Sequence, residues 1–245
     1  MSSTTSALVT GASRGIGLGV ATRLAQRGFG LTIAGRNEGR LSEVASILHA
    51  HGAAGVVCMA GDVLDDGYLT QLLEAHVQRY TTLDALVLNA GAGSSGSIAD
   101  FHPKRFDRQF AINLRSAFVL IQLALPVLRA TACAGSQGAK IVAMSSITGF
   151  YAEEGLSGYG AAKAGLISLC RSINLEENVN GVQATAVAPG FVDTDMTEYK
   201  RGVLDKEQMI PVADVVEVVD MCLRLSRRSV VPEVVIARSG SLLSA

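Results

Sequence analysis

The turn that closes the first apolar segment limits what this chain can become. Ala7-Leu-Val-Thr10 is a short apolar run that ends in Gly11-Ala-Ser-Arg-Gly15-Ile-Gly17, after which Val20, Ala21, Leu24 and Ala25 recur at helical spacing up to Gly28. That order reads as strand, tight glycine turn, helix. Glycines at such a turn permit positive φ and let backbone approach a ligand, while the opening helix turns free N–H groups toward an anion. A pyrophosphate fits that description. The spacing T-G-x-x-x-G-x-G is more restrictive than three glycines alone, because it is tied to a first strand and an opening helix. Gly11, Ser13, Arg14, Gly15, Ile16 and Gly17 are therefore candidate cofactor-binding residues, and a purely structural turn is the alternative.

A second apolar strand over 30–34 leads into Gly35-Arg36-Asn37. In a dinucleotide fold a carboxylate at this point holds the free 2′-hydroxyl of NAD, whereas an arginine suits the 2′-phosphate of NADP. No Asp or Glu stands there. Arg36 and Arg14 are expected to clamp the phosphate, which favours NADP(H) over NAD(H), with Glu38 close enough to keep NAD in play. Two solvated loop arginines are the plainer reading.

Strands and helices keep alternating. Leu41, Val44, Ile47 and Leu48 give a helical face ending near His49-Ala-His51, whose spacing puts the two histidines on different faces and does not suggest a metal site. A third strand over 55–60 ends at Gly61-Asp62-Val63, where ligands collect in open α/β sheets; Asp62 is a candidate for the adenine amino group, or else a helix cap. After a helix carrying Leu69, Leu72, Leu73 and Val77, the fourth strand over 83–88 ends in Asn89-Ala90-Gly91-Ala-Gly93. From Pro103 to about Arg129 the periodicity predicts one long helix interrupted by polar Asn113, which needs hydrogen-bond partners if buried and could bend the helix around a water. The fifth strand, over 140–144, delivers Ser145-Ser146. With 245 residues, 49% of them hydrophobic, and no linker or repeat, this pattern predicts an α/β, single-domain Rossmann fold over 1–245. Its doubly wound parallel sheet should have about seven strands with helices on both faces. A TIM barrel is the other topology of this length, but the nucleotide turn argues for the open sheet.

Tyr159 and Lys163 are one helical turn apart, roughly 6 Å between Cβ atoms. A fixed positive charge there favours the phenolate and can turn a weak base into a useful one. Alone, the pair is more commonly an ordinary turn of a surface helix. Joined to the glycine turn, Asn89-Ala-Gly91, Asn113, a Ser thirteen residues before the Tyr, and Pro189-Gly190 with Thr194, it makes the chain resemble the short-chain dehydrogenase/reductase family over essentially its whole length, and its 3-oxoacyl reductase-like members in particular. The resemblance implies that Tyr159 is the general acid/base. Lys163 would lower the Tyr159 pKa and hold the nicotinamide ribose, Ser146 would bond the substrate oxygen, and Asn113 would anchor a water in a proton relay. Asn89, Ala90, Gly91, Asp62, Val63, Pro189, Gly190, Val192 and Thr194 would contact the cofactor, and 191–211 would be the substrate lid.

The activity so implied is NADP(H)-dependent interconversion of a secondary alcohol and a ketone. The alternatives are specifically a 3-oxoacyl-thioester reductase (ACP or CoA), or a nucleotide-binding regulatory protein that has lost its chemistry. Ile147, Phe150, Phe191, Met196, Tyr199 and Met209 suggest an apolar pocket wall for a small carbonyl or alcohol, with Glu153 and Glu154 as possible polar contacts. The turns Gly135-Ser-Gln137 and Asn178-Val-Asn180 lack the basic residues that would steer an acidic carrier protein. A net charge of −1 offers no stripe for nucleic acid. The apolar uncharged run 116–128 is too short to span a bilayer, the start has no secretory pattern, and four scattered cysteines suit buried thiols in a reducing compartment, so a cytoplasmic location is expected. The family resemblance implies a homo-oligomer, tetramer or dimer. Val235-Ile-Ala-Arg-Ser-Gly240 departs from the acidic turn common in its C-terminal tail, and Ala143 replaces a common Asn.

Overall fold

The computed structural model describes residues 4–200 and 204–240, the side chains of 199 and 200 excepted. Seven strands form one sheet: β1 Ser6–Thr10, β2 Gly30–Gly35, β3 Gly55–Ala60, β4 Ala85–Leu88, β5 Ala139–Met144, β6 Val182–Pro189 and β7 Glu233–Ile236. Their order is β3-β2-β1-β4-β5-β6-β7, and every neighbouring pair is parallel. The intervening helices are α1 Gly15–Gln26, α2 Glu38–Ala50, α3 Asp66–Tyr80, α4 Pro103–Phe110, α5 Ser116–Ala134, α6 Ser157–Glu177 and α7 Val212–Arg224.

A strand in such a sheet is covered on both sides, so its side chains feed two cores. Ala7 and Val9 of β1 join α1, α2 and α7 through Leu24, Leu41 and Val215. Leu8, between them, joins α3, α5 and α6 through Leu72, Leu120 and Leu166. This is the doubly wound arrangement. The strand order turns back between β1 and β4, and the crevice beyond their carboxyl ends is where such sheets take ligands.

The long helix expected from Pro103 is two helices joined by a π turn, Ala111–Arg115, and it continues to Ala134. Pro103–Ala134 is long and apolar enough to cross a membrane by length and composition, unlike the shorter uncharged run within it. One face of it is core, with Leu120, Ile121, Ala124 and Leu128 buried, while Phe106 and Phe118 remain exposed. The thiols also divide: Cys170 and Cys222 are buried, Cys58 is half-buried and Cys133 is exposed, so the expectation of uniformly buried cysteines fails at Cys133. His49 and His51 end α2 in the open.

Candidate active site

The glycine turn is built as backbone demands. Gly11 and Gly15 have φ of 63° and 53°, values that L side chains avoid. Gly17 serves packing instead: a Cβ on it would lie 2.3 Å from the Gly11 carbonyl oxygen, and Gly17 does not line the cleft. Asn89 secures the turn from the next strand, its Nδ2 donating to the oxygens of Thr10 at 3.3 Å and Gly11 at 2.9 Å. Thr10, unmarked in the sequence reading, accepts at Oγ1 from Asn89 N at 3.0 Å and Ala90 N at 3.1 Å, joining β1 to β4 at the switch point.

A cleft of about 830 Å³ opens above this turn. Of the residues expected to bind cofactor or substrate, Gly11, Ser13, Arg14, Gly15, Ile16, Arg36, Asp62, Val63, Asn89, Ala90 and Gly91 line its β1–β4 half. Ser146, Tyr159, Lys163, Pro189, Gly190, Val192 and Thr194 line the other. α1 begins at its wall with no side-chain cap and no acidic residue in its first turn. Uncapped first-turn N–H groups beside positive-φ glycines form a cradle suited to a pyrophosphate.

Tyr159 stands in the first turn of α6, and Lys163 follows one turn later with Nζ 5.6 Å from the centre of the Tyr159 ring. Lys163 is buried and donates to the Met144 carbonyl at 2.7 Å. Loss of water around the ammonium pulls its pKa down to about 8. The two serines divide their tasks. Ser145 Oγ donates to the Lys163 carbonyl at 2.9 Å and braces α6. Ser146 ends the extended segment and accepts from Thr148 N at 3.2 Å and Thr148 Oγ1 at 2.9 Å, which leaves its own hydroxyl proton to donate.

Asn113 sits in the π turn and does not line the cleft. Its carboxamide bonds Ala92 twice, Nδ2 to the carbonyl at 2.7 Å and Oδ1 from N–H at 3.2 Å, and Nδ2 also reaches the Gln109 carbonyl at 2.9 Å. The polar interruption thus fastens the segment after β4 to the helix, and the helix widens there as a π turn. A Cβ on Gly91 would be 2.9 Å from Asn113 Oδ1 and 3.5 Å from Lys163 Nζ, so these groups converge behind the cleft wall.

Several expectations change. Arg14 is not free: it pairs with Asp195 at 2.8 Å across the mouth of the cleft. Arg36 forms no ion pair or hydrogen bond among the described residues, and a further cation, Arg40, donates from Nε to the Ser13 carbonyl at 3.2 Å. Asp62 caps no helix. Its Oδ1 accepts from Leu64 N at 3.1 Å, while Asp65 caps α3. Ile147, Phe191, Met196 and Glu153 line the cleft; Phe150, Met209 and Glu154 do not, Met209 being buried in the segment behind it, and the Tyr199 side chain lies outside the described residues. The sequence reading missed Arg105, Arg108, Ile112 and Leu156 on the wall. The first three share one face of α4 and the π turn at spacings of three and four, a pattern visible in the sequence only once the cleft is known.

The match to known proteins covers most of the chain. Residues 5–203 match the family model for short chain dehydrogenase. The 3-oxoacyl-[acyl-carrier-protein] reductase FabG of Staphylococcus aureus is 35% identical over 213 residues, 86% of this chain and 83% of that protein. An uncharacterized oxidoreductase of Staphylococcus epidermidis is 33% identical over 192 residues, 78% of this chain and 80% of its own. Among solved structures, an alcohol dehydrogenase from the archaeon Thermococcus sibiricus complexed with 5-hydroxy-NADP superposes with a TM-score of 0.86 at 25% identity, covering 97% of both chains. A 3-oxoacyl-[acyl-carrier protein] reductase from Brucella melitensis in complex with NAD gives 0.85 at 26%, covering 99% of this chain and 98% of that one. The chain belongs to the short-chain dehydrogenase family and is an oxidoreductase.

Proposed function

We propose that this enzyme interconverts a secondary alcohol and a ketone, with NADP(H) preferred, and that Tyr159 moves the proton. The observation that carries the reading is the convergence of Tyr159, Lys163 and Ser146 on one wall of a cleft whose other half is the glycine turn. Gly11, Ser13, Gly15, Ile16, Asp62, Val63, Ala90, Pro189, Gly190, Val192 and Thr194 would hold a nicotinamide dinucleotide, which would supply the hydride when bound. In the reductive direction negative charge grows on the carbonyl oxygen. Ser146 donates a hydrogen bond to it and Tyr159 gives it a proton, and donors so placed lower the barrier because they are already oriented. Lys163, with its ammonium 5.6 Å from the Tyr159 ring, stabilises the charge left on the phenol. Asn113 acts through structure here, holding Ala92 and the wall beside Lys163; a water on its backbone completes the proposed relay.

Arg36, without an ion-pair partner among the described residues at the end of β2, is the residue we assign to the 2′-phosphate, with Arg40 nearby and Arg14 available once Asp195 releases it. The segment 191–211 acts as lid. A narrower reading, reduction of 3-oxoacyl thioesters, is favoured by the relative from S. aureus. The exposed Phe106 and Phe118 on the α4–α5 run suit burial between copies of the chain. A screen following NADPH and NADH consumption over cyclic ketones, quinones and 3-oxoacyl thioesters tests the activity: at least one class is turned over, and none being turned over would sink the reading. In the same assay Arg36→Asp lowers the NADPH-to-NADH preference by at least about tenfold, as loss of a charge-assisted phosphate contact demands; an unchanged preference would remove Arg36 from that role.

A further inference from the structure

The substrate half of the cleft carries two cations that the proposed reaction does not use. Arg105 and Arg108, three residues apart on α4, both line it, and Ile112 continues the same face. Arg105 is held in place with no carboxylate partner among the described residues: Nη2 donates to the Ser95 carbonyl at 3.2 Å, and the guanidinium lies 4.8 Å from the centre of the Phe101 ring. Arg108 forms no ion pair or side-chain hydrogen bond among the described residues. Three of the cleft's carboxylates are engaged elsewhere. Asp195 pairs with Arg14, Asp193 with Lys206 at 3.2 Å, and Asp62 folds onto Leu64.

Arg105 is tied to the segment beside the reacting end. A Cβ on Gly93 would touch the Tyr159 ring at 3.8 Å, and Ser95, which receives the Arg105 bond, is two residues further on. With consecutive Cα atoms about 3.8 Å apart, the guanidinium lies within roughly 20 Å of the phenol ring, and Arg108 follows one turn along the same helix. The same cleft is lined by apolar Ile147, Leu156, Phe191 and Met196.

We propose that the substrate carries an oxyanion, a carboxylate or a phosphate, several bonds from its carbonyl, and that Arg105 and Arg108 bind it. Guanidinium forks match the planar or tetrahedral geometry of such groups, and each arginine keeps unused donors. The apolar substrate expected from the wall residues thus gains a charged end. This inference rests on the ketone-reducing reading and narrows its substrate.

The test compares matched pairs in NADPH turnover: a medium-chain keto acid against its methyl ester, and a 3-oxoacyl thioester of pantetheine phosphate against that of pantetheine. In at least one pair the anion has a kcat/KM about tenfold higher than its neutral partner, an advantage that shrinks with added salt. Arg105→Gln and Arg108→Gln each reduce that ratio, the double variant brings it near one, and Arg108→Lys restores part of it. An advantage in the acid pair alone marks a free carboxylate, and one in the thioester pair alone marks a carrier phosphate. Ratios near one in both pairs, or a ratio unmoved in the double variant, overturn the proposal while leaving ketone reduction standing. Should no ketone be turned over, the reduction reading fails by itself. Calorimetric binding of the saturated acid and its ester to the protein with NADP+ then decides the subsite, equal affinity for the two counting against it.

Discussion

Lys163 is a buried ammonium, anchored by one carbonyl and 5.6 Å from the centre of a phenol ring. Its pKa of about 8 means the folded state binds that proton less tightly than the unfolded chain, so holding the charge costs about 3 kcal/mol at neutral pH. Lys163→Met therefore raises the apoprotein's unfolding free energy by roughly 1–2 kcal/mol at pH 7, after allowance for the orphaned Met144 carbonyl, and abolishes turnover. The gain fades as pH rises from 8 toward 10.5, where the lysine would be neutral anyway. Denaturant titration at pH 7 and 10 checks this; a variant less stable than the parent at pH 7 would show that the buried charge is compensated. At this scale the sequence was most informative where one residue type answers one chemical need. Tyr159, Lys163 and Ser146 sit at spacings few other uses require. Arg105, Arg108 and the Arg14–Asp195 pair were hidden, since an arginine's partner lies wherever the fold takes it, here 181 positions away for Arg14.

His76 shows how elements are tied beneath the sheet. From α3 its Nδ1 accepts from Thr32 Oγ1 of β2 at 2.8 Å, and its Nε2–H donates to the Thr82 carbonyl at 2.9 Å, which in turn accepts from Ser6 Oγ of β1 at 2.6 Å. That arrangement uses the neutral ring, and burial pushes the His76 pKa down to about 4. Because the unfolded chain takes up the proton near pH 6.5 and the folded one only near 4, stability is lost as pH falls between those values, by about 2 kcal/mol from pH 7 to 5 from this group. His76→Gln should be less stable at pH 7 yet lose less on acidification. Equal losses in parent and variant, measured by chemical denaturation, would contradict the assignment. Helix and strand existence was legible because apolar residues recur with the period of each element. The π turn was legible only as a polar interruption at Asn113: its form depends on Ala92, which the fold brings to it from another segment.

For the molecule as a whole, the glycine turn announced the architecture, since a strand, a positive-φ turn and an opening helix leave few sheet topologies open. What the turn could not say is which chemistry faces it across the switch point. That comes from β5, α6 and the segment after β6, each delivering side chains to one cleft from distant parts of the chain. The proposed chemistry requires this cleft to move a proton through Tyr159 and not merely to hold a nucleotide. The direct measurement is turnover and cofactor affinity of Tyr159→Phe, a change that removes one hydroxyl and keeps the ring beside Lys163. Turnover is expected to fall by at least about 10²-fold, the usual share of a positioned proton donor, while NADPH binding by fluorescence titration stays within about threefold. Turnover within about threefold of the parent enzyme would contradict the account.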